Sequence, residues 1–127
     1  MQWAPGITDI QIRDNLGSTP AAVAPATGVI YINRDFLGKL TRDQWVFVLL
    51  HEWAHIAAKS RDEKLVDMVA FREYVKRGYS LKQSVYALTK LLNFKNREHF
   101  ERANLQMQRA AAHDYLVNGN GKMKPKS

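Results

Sequence analysis

Two short segments near the start of the chain partly alternate apolar and polar residues, as half-buried strands do. They are residues 7–13 (Ile-Thr-Asp-Ile-Gln-Ile-Arg) and residues 28–33 (Gly-Val-Ile-Tyr-Ile-Asn). A connection rich in proline and alanine runs between them as far as Pro25. The pattern predicts two short strands that form a small sheet, against which later helices pack.

Beyond residue 40 the chain carries helix start and stop signals instead. Three segments have the Ser/Thr-x-x-Glu/Gln spacing of a capping box, in which the first and fourth residues cap a helix N-terminus: Thr41–Gln44, Ser60–Glu63 and Ser80–Gln83. Together with Gly78 and the Asn-Gly repeat at 118–121, they predict four helices, at roughly residues 42–59, 61–77, 81–92 and 96–117. The predicted fold class is therefore α+β, with a small N-terminal sheet.

The length and composition fit a single folded domain. A chain of 127 residues can bury roughly two-thirds of its unfolded surface. Its apolar fraction of 46% and charged fraction of 24% are ordinary for a folded protein. We expect residues 1–118 to form this domain and residues 119–127 to be a basic, flexible tail.

The chain shows no sequence signal for a membrane or for secretion. Its longest apolar run, residues 45–50, is far shorter than the roughly 20 residues of a membrane-spanning helix. The N-terminus lacks the basic and apolar segments of a secretory signal, so we expect a cytoplasmic location. The chain has no cysteine, which leaves His, Asp and Glu as its strong metal ligands.

The positive charge is concentrated in the tail. The formal net charge is +7, and Lys122, Lys124 and Lys126 lie in the last six residues. Such a tail can attract nucleic acid or an acidic partner through charge alone. Because no nucleic-acid motif accompanies it, we expect a solvated tail, no nucleic-acid partner, and at most an acidic protein partner.

The strongest chemical signal is the HExxH pattern at residues 51–55, in the middle of the first predicted helix. His51 and His55 are four residues apart, so both imidazoles can converge on one metal ion. Glu52 can reach a water at that ion, whose pKa zinc lowers towards about 7, and can take its proton. This is the chemistry of peptide hydrolysis without a covalent intermediate. A chance pattern is the alternative, but apolar residues on both sides indicate a buried active-site helix.

A catalytic zinc normally has three protein ligands, so a third must be found. A histidine six residues after His55 would be typical of a metzincin, but Arg61 occupies that position. Ala58 also replaces the turn glycine of that class. The metzincin class is therefore excluded.

The remaining candidates for the third ligand are acidic: Asp62, Glu63 and Asp67. Glu63 and Asp67 are four residues apart and share one helical face. Glu63 also holds the reciprocal position of the capping box that Ser60 begins, so two roles compete for one carboxylate. Asp67 is either the partner that orients a ligand histidine or a solvated surface acid.

These motifs resemble the gluzincin metallopeptidases, most closely the family that includes the CAAX-processing and heat-shock membrane proteases. The similar segments are residues 30–33, 36–37, 40–44, 48–55, 63–67, 78–80, 88–92 and, more weakly, 99–102. The resemblance implies a zincin-like fold, with a small N-terminal sheet, an active-site helix and about three further helices. The chain would then be a minimal core of that family without its membrane spans, with a short gap between the two metal-binding helices.

The resemblance also implies roles for individual residues. His51, His55 and Glu63 would be ligands of a zinc ion. Glu52 would be the general base, and Asp67 would orient a ligand histidine. The strand at residues 28–33 would offer its edge to an extended peptide or protein substrate. The expected function is that of a zinc-dependent metalloendopeptidase.

Stabilising the oxyanion requires a donor besides zinc, and the candidates are Tyr74, Tyr79 and His99. The sequence does not choose among them, and we take His99 as the second catalytic candidate. Phe100 stands where the family has proline, next to the segment that contains His99 and Arg102. The alternative function is a latent or inactive zinc-binding protein that serves as a structural or interaction module, with the long last helix covering the groove.

Overall fold

A computed structural model of the chain describes residues 4–92 and 97–118. Within these residues the strands are β1 (Asp9–Arg13), β2 (Ala21–Ala24) and β3 (Val29–Asn33), and the helices are α1 (Arg42–Ala57), α2 (Glu63–Lys76), α3 (Leu81–Leu91) and α4 (Arg97–Asn118). The predicted α+β class, with a small N-terminal sheet and four helices, is confirmed. The predicted tail at residues 119–127 lies outside the described residues. No helix in the described part is long and apolar enough to cross a membrane.

The sheet has the strand order β1-β3-β2. β3 pairs with β1 in parallel and with β2 in antiparallel orientation, so both of its edges are occupied. The expectation that residues 28–33 offer a free edge to a substrate is therefore wrong. The outer edge belongs to β2, which lies in the segment that the sequence indicated as a connection. Pro20 and Pro25 border this strand, as is usual for an edge strand.

Gly28 fixes the turn that leads into the central strand. It adopts a φ of +76°, and a Cβ at this position would lie 2.2 Å from the main-chain oxygen of Gly6. The Gly28 carbonyl accepts a hydrogen bond of 2.9 Å from the amide of Thr8. Only glycine allows both the positive φ and this close approach of two backbone segments.

Helix α1 lies between two apolar clusters. It begins at the predicted capping box, with both halves formed by Thr41 and Gln44. Phe47 and Leu50 pack with α2 and α3 in the main core. Val48 packs in a second cluster, against Ile30 of the sheet. This burial holds the HExxH segment firmly in the middle of the domain.

The turn after α1 is a Schellman motif, a helix end with two characteristic backbone hydrogen bonds. The amide of Ser60 donates to the carbonyl of His55 at 3.3 Å, and the amide of Lys59 donates to Ile56 at 3.2 Å. Lys59 holds the left-handed conformation that this motif requires, with a φ of +50°. The turn reverses the chain sharply, which brings the start of α2 back over the end of α1.

Helix α2 begins later than predicted, and this changes the role of Glu63. The N-cap residue is Asp62, whose side chain accepts a hydrogen bond of 3.1 Å from the amide of Lys64. Ser60 instead accepts from the amide of Asp62 at 3.0 Å. The predicted capping box of Ser60 and Glu63 is therefore wrong. The carboxylate of Glu63 is left for the contacts described below.

The later helix boundaries are close to the predicted ones. Gly78 follows α2 with a φ of +88°, as expected for the residue just past a helix end. Ser80 caps α3 through the amide of Gln83. The side chain of Gln83 accepts a hydrogen bond of 3.0 Å from Gln44, which links α3 to α1.

Candidate metal centre

Three helices supply one cluster of polar side chains, which we call the metal centre. Its members are His51, Glu52 and His55 from α1, Glu63 and Asp67 from α2, and Arg102 from α4. His51, Glu52, Asp67 and Arg102 are buried. The structure thus brings together the HExxH residues, both residues of the Glu-x-x-x-Asp pair, and an arginine to which the sequence gave no role.

Both imidazole rings turn their Nδ1 atoms towards oxygen acceptors. His51 Nδ1 lies 3.1 Å from Asp67 Oδ1, and His55 Nδ1 lies 2.9 Å from the carbonyl oxygen of Ser60. The first contact is close but is not directed well enough to count as a hydrogen bond. Because an oxygen acceptor favours a proton on the nitrogen that faces it, both rings favour the tautomer with hydrogen on Nδ1.

The Nε2 atoms of the same two rings face one carboxylate. His51 Nε2 lies 3.2 Å from Glu63 Oε2, and His55 Nε2 lies 3.1 Å from Glu63 Oε1. In the favoured tautomer each Nε2 carries a lone pair, and so do the carboxylate oxygens. The arrangement is favourable only when protons or a metal cation lie between these atoms.

The side chains have the chemistry of zinc ligands, and the two contacts of Glu63 come close to the spacing of a zinc site. Zinc binds imidazole nitrogen and carboxylate oxygen at about 2.0–2.2 Å, so neighbouring ligand atoms of a tetrahedral site lie about 3.3–3.5 Å apart. The nitrogen–oxygen distances of 3.1 and 3.2 Å at Glu63 are close to that separation. Among the described residues, two groups have ligand atoms that all lie within 4.8 Å of one another: His51, Glu52 and His55, and His51, Glu63 and Asp67. The ligand set expected from the sequence, His51, His55 and Glu63, is divided between these two groups.

Arg102 anchors the acidic side of the centre. Its Nε and Nη2 atoms donate to the two carboxylate oxygens of Asp67 at 2.7 and 2.9 Å, a bidentate pair. Nη2 also lies 3.1 Å from Glu63 Oε2. The only sequence signal for Arg102 was its place in the weakly similar segment 99–102. Nothing local in the sequence indicates a partner 35 residues away.

The charges of the centre do not balance by themselves. Three carboxylates and one guanidinium leave a net charge of −2 when both histidines are neutral. Buried charge is costly unless it is compensated, and two imidazolium protons or one divalent cation would compensate it.

The pKa directions follow from this imbalance. Burial disfavours the charged form of His51, but the carboxylates of Asp67 and Glu63 outweigh it and raise its pKa to about 9. The Glu63 carboxylate likewise raises the pKa of His55. Burial opposes ionisation of Glu63, yet the two histidines hold its pKa well below the usual range. Asp67 is similar: Arg102 and His51 lower its pKa against the effect of burial.

Glu52 stands apart from these ion pairs. Its Oε2 atom lies 3.9 Å from His51 Nε2, and burial raises the pKa of its carboxyl group above the usual value. The backbone of Val23 in β2 faces the same carboxylate and opposes that rise. A buried carboxylate with a raised pKa suits proton transfer near neutral pH.

The centre opens into a cleft of about 1210 Å³. The cleft is bordered by the β2 segment, by the α1–α2 turn, and by α3 and the first turns of α4. His99 lines this cleft, as a catalytic candidate must. Tyr74 does not: it is fully buried in the main core, and its hydroxyl donates to the carbonyl of Asp43 at 2.8 Å. Tyr79 stacks on Tyr74 at 4.8 Å, so neither tyrosine is placed to stabilise an oxyanion.

The base of the open cleft therefore holds two imidazole nitrogens, the Glu63 carboxylate that contacts both of them, and the buried carboxylate of Glu52. These groups suit the binding of a divalent cation and the transfer of a proton to or from water. The function of the centre has to be argued from this geometry alone, because no protein-family model, curated protein or solved structure matches the chain.

Proposed function

We propose that the chain is a zinc-dependent metallopeptidase, with His51, His55 and Glu63 as metal ligands and Glu52 as the general base. The observation that carries this proposal is the orientation of the two imidazoles. Both direct Nδ1 at an oxygen acceptor and Nε2 at Glu63, and an oxygen acceptor behind an imidazole ring orients the opposite nitrogen towards a metal.

The ligand chemistry favours zinc among the common divalent ions. Two imidazoles and one carboxylate form a donor set of catalytic zinc sites, whereas calcium and magnesium prefer oxygen ligands alone. The chain has no cysteine to offer instead. A divalent ion would also cancel the net charge of −2 in the centre.

Each residue then has a defined task. Bound zinc supplies Lewis acidity, which polarises a peptide carbonyl and acidifies water. Glu52 accepts a proton from water as the water oxygen bonds to the peptide carbonyl carbon, and returns that proton to the amine as the C–N bond breaks. Asp67 and the Ser60 carbonyl hold the two imidazole rings in orientation, and Arg102 holds Asp67.

The outer edge of β2 supports the peptide part of this proposal. The amide of Asn33 donates to the carbonyl of Pro20 at 2.9 Å, so the next residue in register, Ala21, is not hydrogen-bonded to β3. By the same alternation the backbone groups of Ala21 and Val23 point outward from the sheet. Both residues line the cleft, where an extended peptide could pair with them.

The first experiment measures zinc and hydrolysis separately. Elemental mass spectrometry of tag-free protein should give about one zinc ion per chain, lost in His51→Ala and reduced in Glu63→Ala. Glu52→Gln should keep the zinc but lose peptide hydrolysis by about 100-fold or more. Wild-type protein that stays zinc-free after dialysis against zinc, or a Glu52→Gln variant that hydrolyses normally, would overturn the proposal.

The alternative is a zinc-binding protein that does not turn over substrate. It is favoured by one observation: α4 contributes Arg102 to the centre, so this helix is part of the site as well as one wall of the cleft. Deleting α4 to release a latent activity would remove Arg102 from the centre and uncover part of the main core, so truncation is not a clean test of this alternative. Zinc binding by the intact chain without hydrolysis of any peptide in a diverse library would establish this alternative.

A further inference from the structure

The cleft wall beyond the metal centre is cationic. Arg102 is engaged by the centre, but three further cations line the cleft: Lys59, Arg61 and Lys90, which we call the cationic rim. Among the described residues, the only lining carboxylate outside the centre is that of Glu98. The described wall therefore carries two more positive than negative charges, next to a centre whose net charge of −2 a bound divalent cation would cancel.

Two members of the rim are anchored directly beside a candidate ligand. Lys59 and Arg61 flank Ser60, whose carbonyl oxygen lies 2.9 Å from His55 Nδ1. Consecutive Cα atoms are about 3.8 Å apart, so both cations originate within one residue of this contact. Among the described residues, no carboxylate forms an ion pair with Lys59 or Arg61.

The third member, Lys90, lies on another wall, and no carboxylate in the described part of the chain forms an ion pair with it. Lys90 Nζ donates to Gln44 Oε1 at 2.8 Å and to the carbonyl of Lys39 at 3.2 Å. Both acceptors are neutral, so they fix the position of the ammonium group without cancelling its charge. Uncompensated cations in a cleft with low-dielectric walls focus the field and attract anionic ligands.

We propose that the cleft selects peptides with a glutamate or aspartate side chain close to the scissile bond, and that Lys59 and Arg61 are the specificity-determining residues. This inference rests on the proposed peptidase function. The acidic side chain must reach the α1–α2 turn, where Lys59 and Arg61 lie, because next to β2 it would approach the carboxylate of Glu52, which faces the backbone of Val23. Selectivity is therefore expected at some substrate positions and not at others.

The test compares paired fluorogenic peptides that differ only by Glu against Gln at one position near the scissile bond. For wild type we expect kcat/KM to favour the Glu peptide about tenfold at the best position, as one close charge pair allows. Arg61→Glu and Lys59→Glu should each bring this ratio to about one or below. The ratio is measured within each variant, so it does not depend on the fraction of folded protein.

Lys82→Glu is the matched control. Lys82 is exposed on α3 and does not line the cleft, yet its substitution changes the net charge by the same amount. It should leave the peptide ratio unchanged. A ratio that falls equally in Lys82→Glu would show that overall charge, and not the rim, attracts acidic peptides, and would overturn the inference.

A binding measurement separates this inference from the proposed function. Fluorescence anisotropy with the Glu52→Gln variant should show tighter binding of the Glu peptide, weakening as salt is added. If the Glu peptide binds more tightly but wild-type protein hydrolyses no peptide, the role of the cationic rim is supported and the proposed peptidase function is contradicted. If wild-type protein hydrolyses the peptides with no preference for Glu at any position, only the proposed role of the cationic rim is contradicted. Equal displacement of the peptide by duplex DNA would indicate general anion binding and would also overturn it.

Discussion

The α1–α2 helix pair buries two regions of opposite chemistry, the apolar core and the metal centre. Leu50 and Val66 are fully buried in the core, whereas His51 and Asp67, one residue further along each helix, belong to the centre. One residue turns a helix by about 100°, so each helix can serve both regions. The core gains from apolar burial at any pH, whereas the centre is favourable only while its buried charges are balanced.

The largest effect should come from removing one partner of the buried ion pair. In Arg102→Met, Asp67 loses the two hydrogen bonds of 2.7 and 2.9 Å that it accepts. An uncompensated buried charge costs about 3–5 kcal/mol, so the urea midpoint of chelator-treated protein should fall strongly.

The double variant Asp67→Leu with Arg102→Met is the control for this prediction. It removes both charges, and apolar replacement of a whole buried pair is often close to neutral. We expect it to regain a large part of the lost stability. If the double variant is as unstable as the single one, Arg102 acts through packing and the charge-balance argument is wrong.

A core substitution should be nearly as destabilising but different in character. Leu50→Ala removes a fully buried side chain and should cost about 2–5 kcal/mol through lost contacts and a cavity. Because no charge is involved, the dependence of stability on pH should match that of wild type. Urea unfolding across a pH series checks this, and a changed pH dependence would mean that core and centre are not separable.

The metal-free centre should respond to pH in a way that the core does not. The pKa of His51 is raised from 6.5 to about 9. The stability that protonated His51 contributes is therefore complete below about pH 6.5 and is lost as pH rises through 9. The shift corresponds to a loss on the order of 3 kcal/mol. The pKa values of Glu63 and Asp67 are lowered, so their contributions are lost on acidification. Metal-free protein should therefore be most stable between about pH 5 and 6.5.

Zinc affinity should change in the opposite direction over the same range. Zinc requires deprotonated imidazoles, so its binding should tighten as pH rises towards 9 and should release protons. Urea unfolding with chelator and zinc titration with a competing indicator, both at pH 6 and above pH 9, measure the two trends. If the free energy of unfolding of the metal-free protein is the same at pH 6 and above pH 9, the ion pairs assigned to His51 are wrong.

The sequence predicted the features that local signals determine. The capping box at Thr41 and Gln44 and the apolar residues that follow it located α1, and with it the three HExxH residues. β2 was missed because Ala21–Ala24 has weak strand propensity and lies between prolines. That omission led to the wrong assignment of the free sheet edge.

The remaining errors concern contacts that depend on the whole fold. The role of Glu63 depends on where α2 begins, and that start follows from the left-handed conformation of Lys59, which a lysine does not signal. Tyr74 and Tyr79 were candidates by residue type alone, but packing places them in the core. Arg102 reaches Asp67 only because α4 folds back over α2.

The smallest effect should come from the turn that joins the two regions. Lys59 and Gly78 occupy equivalent positions in Schellman turns at the ends of α1 and α2, with φ values of +50° and +88°. A side chain in this conformation costs roughly 1 kcal/mol, which Gly78 avoids and Lys59 does not. Lys59→Gly should therefore raise the free energy of unfolding by up to about 1 kcal/mol, seen as a higher urea midpoint, and leave the zinc content unchanged.

Lys59→Ala separates backbone strain from the loss of the lysine side chain. Alanine removes the same charge but keeps the Cβ, so it should give no comparable gain in stability. Both variants should lower the preference for acidic peptides, since both lack the ammonium group of the cationic rim. If alanine stabilises as much as glycine, the gain arises from removing a cation beside Arg61. The left-handed conformation at residue 59 would then cost the folded protein no measurable stability, and the comparison with Gly78 would be wrong.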